Sequence, residues 1–275
     1  MNIRRSCKPH VGLLLLLFWC TPASAQEAPL SEAATQPAKG RVTWREQLRF
    51  TRMELDDRGI DQFVLNTRLT LGLSGRLSAV LDVPLIDRQD GPDGAFDEHG
   101  VGDISIGLRY RFWQHDDGAI DTRRIAVFGR LRAPTGEGGL SSGGFDPSVG
   151  LVFTQVRGRH GINASASYQL STDGRSTPIL PGFGASDLLA FEASYLYRLS
   201  PASYTSETVG SLYLTAESFV DYETNGDTEW TLAPGLLWES RRWAAELSVL
   251  LPAATSIDDR AETDWGLVAG VRVLF

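Results

Sequence analysis

The chain has 275 residues, 42% of them hydrophobic and 22% charged, with 34 Asp and Glu against 26 Lys and Arg. That composition excludes a collagen-like fibre, a disordered acidic tail and a disulfide-stapled miniprotein. Twenty-eight glycines and 13 prolines beside only two methionines favour many short elements joined by turns, hence an all-β fold.

The N-terminus reads as an export signal. Arg4, Arg5 and Lys8 precede an apolar run from Val11 to Trp19 that ends at Ala23-Ser24-Ala25. The run is too short to span a bilayer as a retained helix, and the alanines at 23 and 25 suit cleavage after Ala25. A lipoprotein attached through Cys20 fits less well, because bulky Phe18 and Trp19 stand where small residues are required. Residues 1–25 are therefore taken as a signal peptide. Cys7 and Cys20, the chain's two cysteines, leave with it, so the exported chain has no thiol for a disulfide or a metal. Losing three cations brings the net charge from −8 to −11. An exported acidic chain without a Lys/Arg cluster is no nucleic-acid binder. Residues 26–40 carry Pro, Ala, Ser and Glu with no apolar period and read as a flexible periplasmic lead-in in which nothing packs, a pattern that does not decide whether they enter the lumen as a plug.

From Arg41 the period is two up to the last residue. Trp265, Leu267, Ala269, Val271, Val273 and Phe275 alternate with Gly266, Gly270 and Arg272, and Ile104 to Phe112 alternate likewise with Ser105, Gly107, Arg109 and Arg111. Twelve such segments follow one another, at about 42–53, 62–73, 76–85, 102–112, 124–133, 148–156, 161–170, 187–199, 209–220, 229–238, 243–251 and 265–275. Most have the length of a tilted membrane-crossing strand, and an even number lets a barrel close with both termini on one side. Residues 41–275 thus form a single all-β domain, a transmembrane antiparallel up-and-down β-barrel of about 12 strands. A soluble β-sandwich is the competing fold. With the N-terminus in the periplasm, connections at 54–61, 86–101, 134–147, 171–186, 221–228 and 252–264 face outward. Tyr110, Phe112, Tyr195, Tyr197, Trp238, Trp243 and Phe275 fall at an inner rim, and Phe63, Tyr168, Trp230 and Trp265 at an outer one, as two interfacial girdles. The first strand fits least well, because Glu46 lies on the face of Val42, Trp44, Leu48 and Phe50, which meets lipid.

Asp82-Val83-Pro84-Leu85, the run Gly100-Val101-Gly102-Asp103-Ile104 leading into Leu108-Arg109-Tyr110-Arg111-Phe112, Ala133-Pro134-Thr135-Gly136 before a Gly-rich loop, and the aromatic last strand resemble the outer-membrane β-barrel family of transporters associated with the meta-pathway of phenol degradation. The resemblance spans most of 41–275. It implies a Gram-negative outer-membrane barrel passing hydrophobic or aromatic compounds, and it brings no catalytic residues. Phe275 also looks like the terminal signal read by the barrel-assembly machinery.

Catalytic and metal chemistry find little support. Gly139-Leu140-Ser141-Ser142-Gly143 matches G-x-S-x-G but lacks the strand before and the helix after that a nucleophile elbow needs. His99, His115 and His160 belong to different ends and have no ligand or triad spacing. The motif of twelve-stranded outer-membrane phospholipases is missing. The chain is therefore read as no enzyme, with no cofactor and no metal. Acidic outer loops, such as Asp56, Asp57 and Asp61, could meet lipopolysaccharide through divalent cations, or simply keep the loop tips solvated.

The inward face carries the functional expectation. Arg109, Arg111, Arg130 and Arg132 on one wall face Glu192, Glu217 and Glu246 on another, and charges at membrane depth must be wet or paired. A water-filled lumen and a salt-bridged filled one both satisfy that condition. The chain is expected to be a passive outer-membrane channel or transporter for small solutes, including hydrophobic or aromatic compounds, with membrane lipids, lipopolysaccharide, the assembly machinery and the solute as partners. The alternatives are a non-conducting structural or surface-binding barrel, or a small anion-selective porin.

Overall fold

The computed structural model describes residues 27–90, 94, 96–118, 120–175 and 178–275, so the expected signal peptide lies outside the described residues. Thirteen strand segments run in chain order: β1 (Val42–Leu55), β2 (Arg58–Gly72), β3 (Leu77–Gln89), β4 (Glu98–Val101), β5 (Ile104–Asp117), β6 (Asp121–Ala133), β7 (Asp146–Arg157), β8 (His160–Gln169), β9 (Leu188–Ser200), β10 (Gly210–Glu223), β11 (Thr228–Ser240), β12 (Trp243–Ser256) and β13 (Glu262–Leu274). β4 and β5 both pair with β3 and form one stave interrupted at Gly102 and Asp103. Each remaining stave pairs antiparallel with its chain neighbours, and β1 pairs with β13, which closes a 12-stranded barrel. Closure removes the sheet edges that lipid could not satisfy. A single 3-10 turn, Gly138–Leu140, is the helical element among the described residues.

All twelve expected segments form, and most extend past their expected outer ends. The reason is that alternation marks where one face meets lipid, whereas the hydrogen-bond ladder continues beyond the lipid band. The expected loop 54–61 shrinks to Asp56-Asp57, both left-handed (φ 50 and 62), the backbone of a two-residue I′ hairpin. The expected inner connection 113–123 shrinks to residues 118–120. The two long connections, 134–145 and 170–187, remain at the outer end.

The outward face is apolar in water. Ile106, Leu108, Val149, Leu151, Leu214 and Leu247 are each at least half exposed, a belt no soluble protein carries. Phe50 stacks between Phe63 and Trp265, with ring centroids 4.9 and 5.1 Å away, near the outer rim, and Trp238 packs on Trp243 at 4.1 Å near the inner one. The first strand keeps the expected parity. Glu46 does point outward, and Thr67 Oγ1 on the neighbouring stave donates to its two oxygens at 2.5 and 2.8 Å.

Residues 27–39 differ from the expected lead-in, because they enter the barrel. Ala28, Ser31, Glu32, Ala33, Ala34 and Thr35 are all buried. The segment comes off the inner rim at Gly40, whose N–H donates to the Gly72 carbonyl at 2.7 Å. Gly72 is required there, since a Cβ would stand 2.2 Å from the Ala38 carbonyl oxygen. The chain rises to an apex near Leu30–Glu32 and returns to the inner end, where Glu27 meets Arg45 and Arg272. Thr35 Oγ1 donates to Glu27 and ties the two limbs together.

The seam is held at its inner end by reciprocal bonds between Val42 and Phe275, with N···O distances of 2.9 and 3.3 Å. Deleting Phe275 removes both bonds and should lower the folded, heat-modifiable fraction on unboiled gels more than removing outer residues 257–261 does. Equal folded fractions would contradict a seam-limited assembly.

Candidate functional site

The pleat sends residues of one parity into the lumen, and paired neighbours share that face. Arg45↔Arg68 and Arg45↔Arg272 therefore all point inward, as do Arg109↔Phe128, Gly107↔Arg130, Ser194↔Glu217 and Leu237↔Glu246. The re-entrant loop meets both charged walls. On the cationic side, Glu32 accepts from Arg68 at 3.1 Å, from Arg130 at 2.7 Å and from Arg109. Arg109 also donates to the Thr35 carbonyl at 3.1 Å. On the acidic side the loop offers its backbone instead. The Ser31 N–H and hydroxyl donate to Glu217 at 2.7 and 2.8 Å, the Leu30 N–H donates to the same carboxylate at 3.1 Å, and the Glu32 N–H donates to Glu192 at 2.7 Å. Ala34 N–H donates to Thr154 at 2.8 Å, and Gln47 donates to the Pro29 carbonyl at 2.6 Å.

Small apolar contacts fill the gaps. Ala34 packs with Ala126, Phe128 and Val152, and Ala28 with Leu196, Tyr213, Leu237 and Ala244. Leu30 lies against Ala233, Leu250 and Val268. Burial pushes the Glu32 carboxyl up, but the guanidiniums of Arg109, Arg68 and Arg130 outweigh it and hold that carboxyl well below its ordinary value. Glu27 follows the same logic, with burial opposed by Arg272 and Arg45, and is held at about 2.

The sequence-derived residues thus have distinct places. Arg109 and Arg130 are joined on Glu32. Arg132 donates to Asp146 at 2.7 Å and to the Gly182 carbonyl, with its guanidinium 4.1 Å from the Phe183 ring. Arg111 does not join them, because it reaches down to the Gly75 carbonyl at the inner rim, 2.6 Å away. Glu192 and Glu217 hold the loop backbone. Glu246 accepts from Gln47 at 2.5 Å and lies 3.8 Å from Arg45. Arg45, Arg68, Arg272, Asp82 and Glu239 were missed although they share the same parity. Arg68 pairs with Asp82 at 2.6 Å and Arg272 with Glu239 at 3.0 Å. Glu27 and Glu32 were missed because they sit in a segment without periodicity.

The outer mouth is closed by loops. Ile179 packs against Met53, Leu55, Ile60 and Ala261, and Arg260 is buried between Glu223 and Glu229 at 2.6 and 2.8 Å. Ser141 of the G-x-S-x-G match is buried in loop 134–145, where its hydroxyl accepts from the Gly143 N–H at 3.0 Å. His160 Nδ1 sits 2.7 Å from the Tyr195 hydroxyl at the inner rim. Between the re-entrant loop and these outer loops lies a chamber of about 270 Å³, lined by Glu32, Arg130, Arg132, Asp146, Glu192 and Asp221 together with Ser105, Ser148, Ser167, Gln169, Phe128, Leu188 and Ala190.

The family model described as "Putative MetA-pathway of phenol degradation" matches residues 56–229. An outer membrane channel from Pseudomonas putida F1 has the same architecture, with a TM-score of 0.62 at 13% identity over 90% of this chain and 100% of that one. The β domain of the Bordetella autotransporter Brka gives 0.49 at 13% identity over 86% and 100% of the two chains. The translocator domain of the autotransporter NalP from Neisseria meningitidis gives 0.42 at 12% over 88% and 91%. No curated protein matches the sequence. At 13% identity the likeness to the Pseudomonas putida channel establishes the fold alone.

Replacing Glu32 with Gln leaves three guanidiniums around a neutral amide, and breaking a buried ion pair in this way costs about 3–5 kcal/mol. Glu32→Gln should therefore loosen the loop, seen as faster proteolysis within residues 27–39 of a barrel that still migrates as folded. Because the folded-state value of Glu32 is lowered, its stabilisation is present at and above pH 4.5 and fades only as pH falls through the lowered value. The share of loop protection that Glu32 supplies, read as the difference between wild type and Glu32→Gln, should accordingly be the same at pH 7 and pH 5. A difference between wild type and variant that vanishes between those two values would contradict the guanidinium cluster.

Proposed function

Because the chain belongs to the family described as "Putative MetA-pathway of phenol degradation", we propose that it is a passive outer-membrane channel for small organic compounds, closed at rest by its own N-terminal loop. The observation that carries this reading is the chamber. A barrel whose charges served only as internal filling would have no use for about 270 Å³ of unfilled space at mid-height between two loop-built closures. Ligand pockets usually span roughly 300–1,000 Å³, so this chamber suits a solute of single-ring size. Both closures are chain segments that meet the barrel wall through side-chain contacts and are not staves of the sheet, so they can part without unpairing a stave. No chemical step is assigned to the protein. The family description favours aromatic compounds among the solutes.

The second reading, a non-conducting barrel, draws on the Glu32 cluster, which fills the inner half of the lumen. Planar bilayers separate the two. Deleting residues 27–36 should raise single-channel conductance several-fold over the wild type while the barrel stays heat-modifiable. A folded deletion variant that conducts no more than the wild type would favour the structural barrel.

A further inference from the structure

The docked loop encloses a second, smaller cavity against the cationic side of the lumen, about 30 Å³ in volume. Four guanidiniums line it, from Arg45, Arg68, Arg109 and Arg272, against two carboxylates, both from the loop, Glu27 and Glu32. The charges that complete the balance, Arg130, Asp82, Glu239 and Glu246, stand behind that lining, and Asp82 and Glu239 hold Arg68 and Arg272 at 2.6 and 3.0 Å. Of the four guanidiniums, that of Arg45 is held least. It is buried, its carboxylate neighbours Glu27 and Glu246 are 3.6 and 3.8 Å away, its hydrogen bond runs to the Ala28 carbonyl at 3.4 Å, and its Nε–H has no partner among the described residues. The Nε–H of Arg109, equally buried, has none either. Thr43 and Thr70, opposite one another on β1 and β2, add two hydroxyls to the same lining, neither of them hydrogen-bonded within the described residues.

The unengaged polar groups around this cavity are therefore donors, or hydroxyls free to donate, whereas all four carboxylate oxygens of Glu27 and Glu32 already accept. Water suits such a set poorly, because it must also donate its own protons. An anion accepts from every side and meets the buried charge of Arg45 as well. We propose that the cavity is a halide site, which takes one chloride between Arg45 and Arg109 as the loop docks. The volume sets the class of ligand. A water needs roughly 10–15 Å³ of such space, so about 30 Å³ accepts a monatomic anion and excludes sulfate, phosphate or a solute bearing a carboxylate. Because Glu27, Ser31, Glu32 and Ala33 form the loop side of the lining, the anion is bound by the docked loop and released when the loop leaves. Chloride therefore holds the loop in place by linkage. The site depends on the docked loop and not on whether the lumen conducts.

Hydrogen exchange of the peptide covering residues 28–36 reads the site. The full-length barrel is compared in sodium chloride and in sodium gluconate at equal ionic strength, gluconate being too large for the cavity. Docking that binds one chloride should slow opening of the loop by one plus the ratio of chloride concentration to Kd, about threefold at a concentration twice Kd. Bromide should replace chloride, sulfate should not, and exchange of the staves should stay unchanged. Arg45→Gln, which removes the loosely held charge, should exchange alike in the two salts, and Thr70→Val, which removes one hydroxyl donor, should need more chloride for the same protection. If Arg45→Gln fails to fold, Thr70→Val carries the comparison. Equal exchange of the wild type in chloride and gluconate, equal protection by sulfate, or a chloride effect that the folded variants leave intact would overturn the halide site.

Discussion

One carboxylate shared by three guanidiniums organises the lumen. Arg68, Arg109 and Arg130 project from staves that lie close together, and three like charges at membrane depth would repel each other and lose hydration. Glu32 supplies the counter-charge at the apex of a loop whose own N–H groups face the opposite, acidic wall and donate to Glu192 and Glu217. The loop therefore neutralises both walls with different parts of the same few residues. Its docking is specified by charge and by hydrogen-bond direction more than by apolar area, since its side chains against the wall are mainly alanines and Leu30.

Barrel size explains why a loop is needed. Eight staves leave an interior that side chains fill, and sixteen leave an aqueous channel. Twelve staves lie between, so side chains reach one another across part of the lumen only, and the remaining volume must hold water or chain. Here the inner half holds residues 27–39, the outer mouth holds loop 170–187 through Ile179 and through Phe183 on Arg132, and the middle stays open. Gly72 and Gly40 set the point where the chain leaves the wall and turns inward. Strands, seam and loop thus belong to one design, in which residues 31–35 of the N-terminal segment are buried inside the barrel that surrounds them.

The architecture was legible because each lipid-facing stave must alternate, and Trp265 to Phe275 or Ile104 to Phe112 can hardly be anything else. Parity likewise placed Arg109, Arg130, Arg132, Glu192, Glu217 and Glu246 in the lumen. Applied to every stave, it would also have found Arg45, Arg49, Arg68 and Arg272. Arg111 has inward parity, yet a long flexible side chain near a rim can reach the turn, and parity alone does not say how far it bends. The docked loop left no periodic trace, since its contacts are made by backbone N–H groups and by residues far apart in sequence. One signal did exist: the inward arginines on neighbouring staves outnumber the local acids Asp82 and Asp146, which calls for a carboxylate from elsewhere, and residues 27–39 offer Glu27 and Glu32.

Hydrogen exchange on the reconstituted, full-length barrel tests the docked loop most directly, because the amides of Leu30, Ser31, Glu32 and Ala34 are each bonded to a wall side chain. The account requires peptides covering residues 28–36 to exchange as slowly as barrel staves and far more slowly than residues 257–261. Exchange of that segment at the rate of an open loop, in a barrel whose staves remain protected, would contradict it.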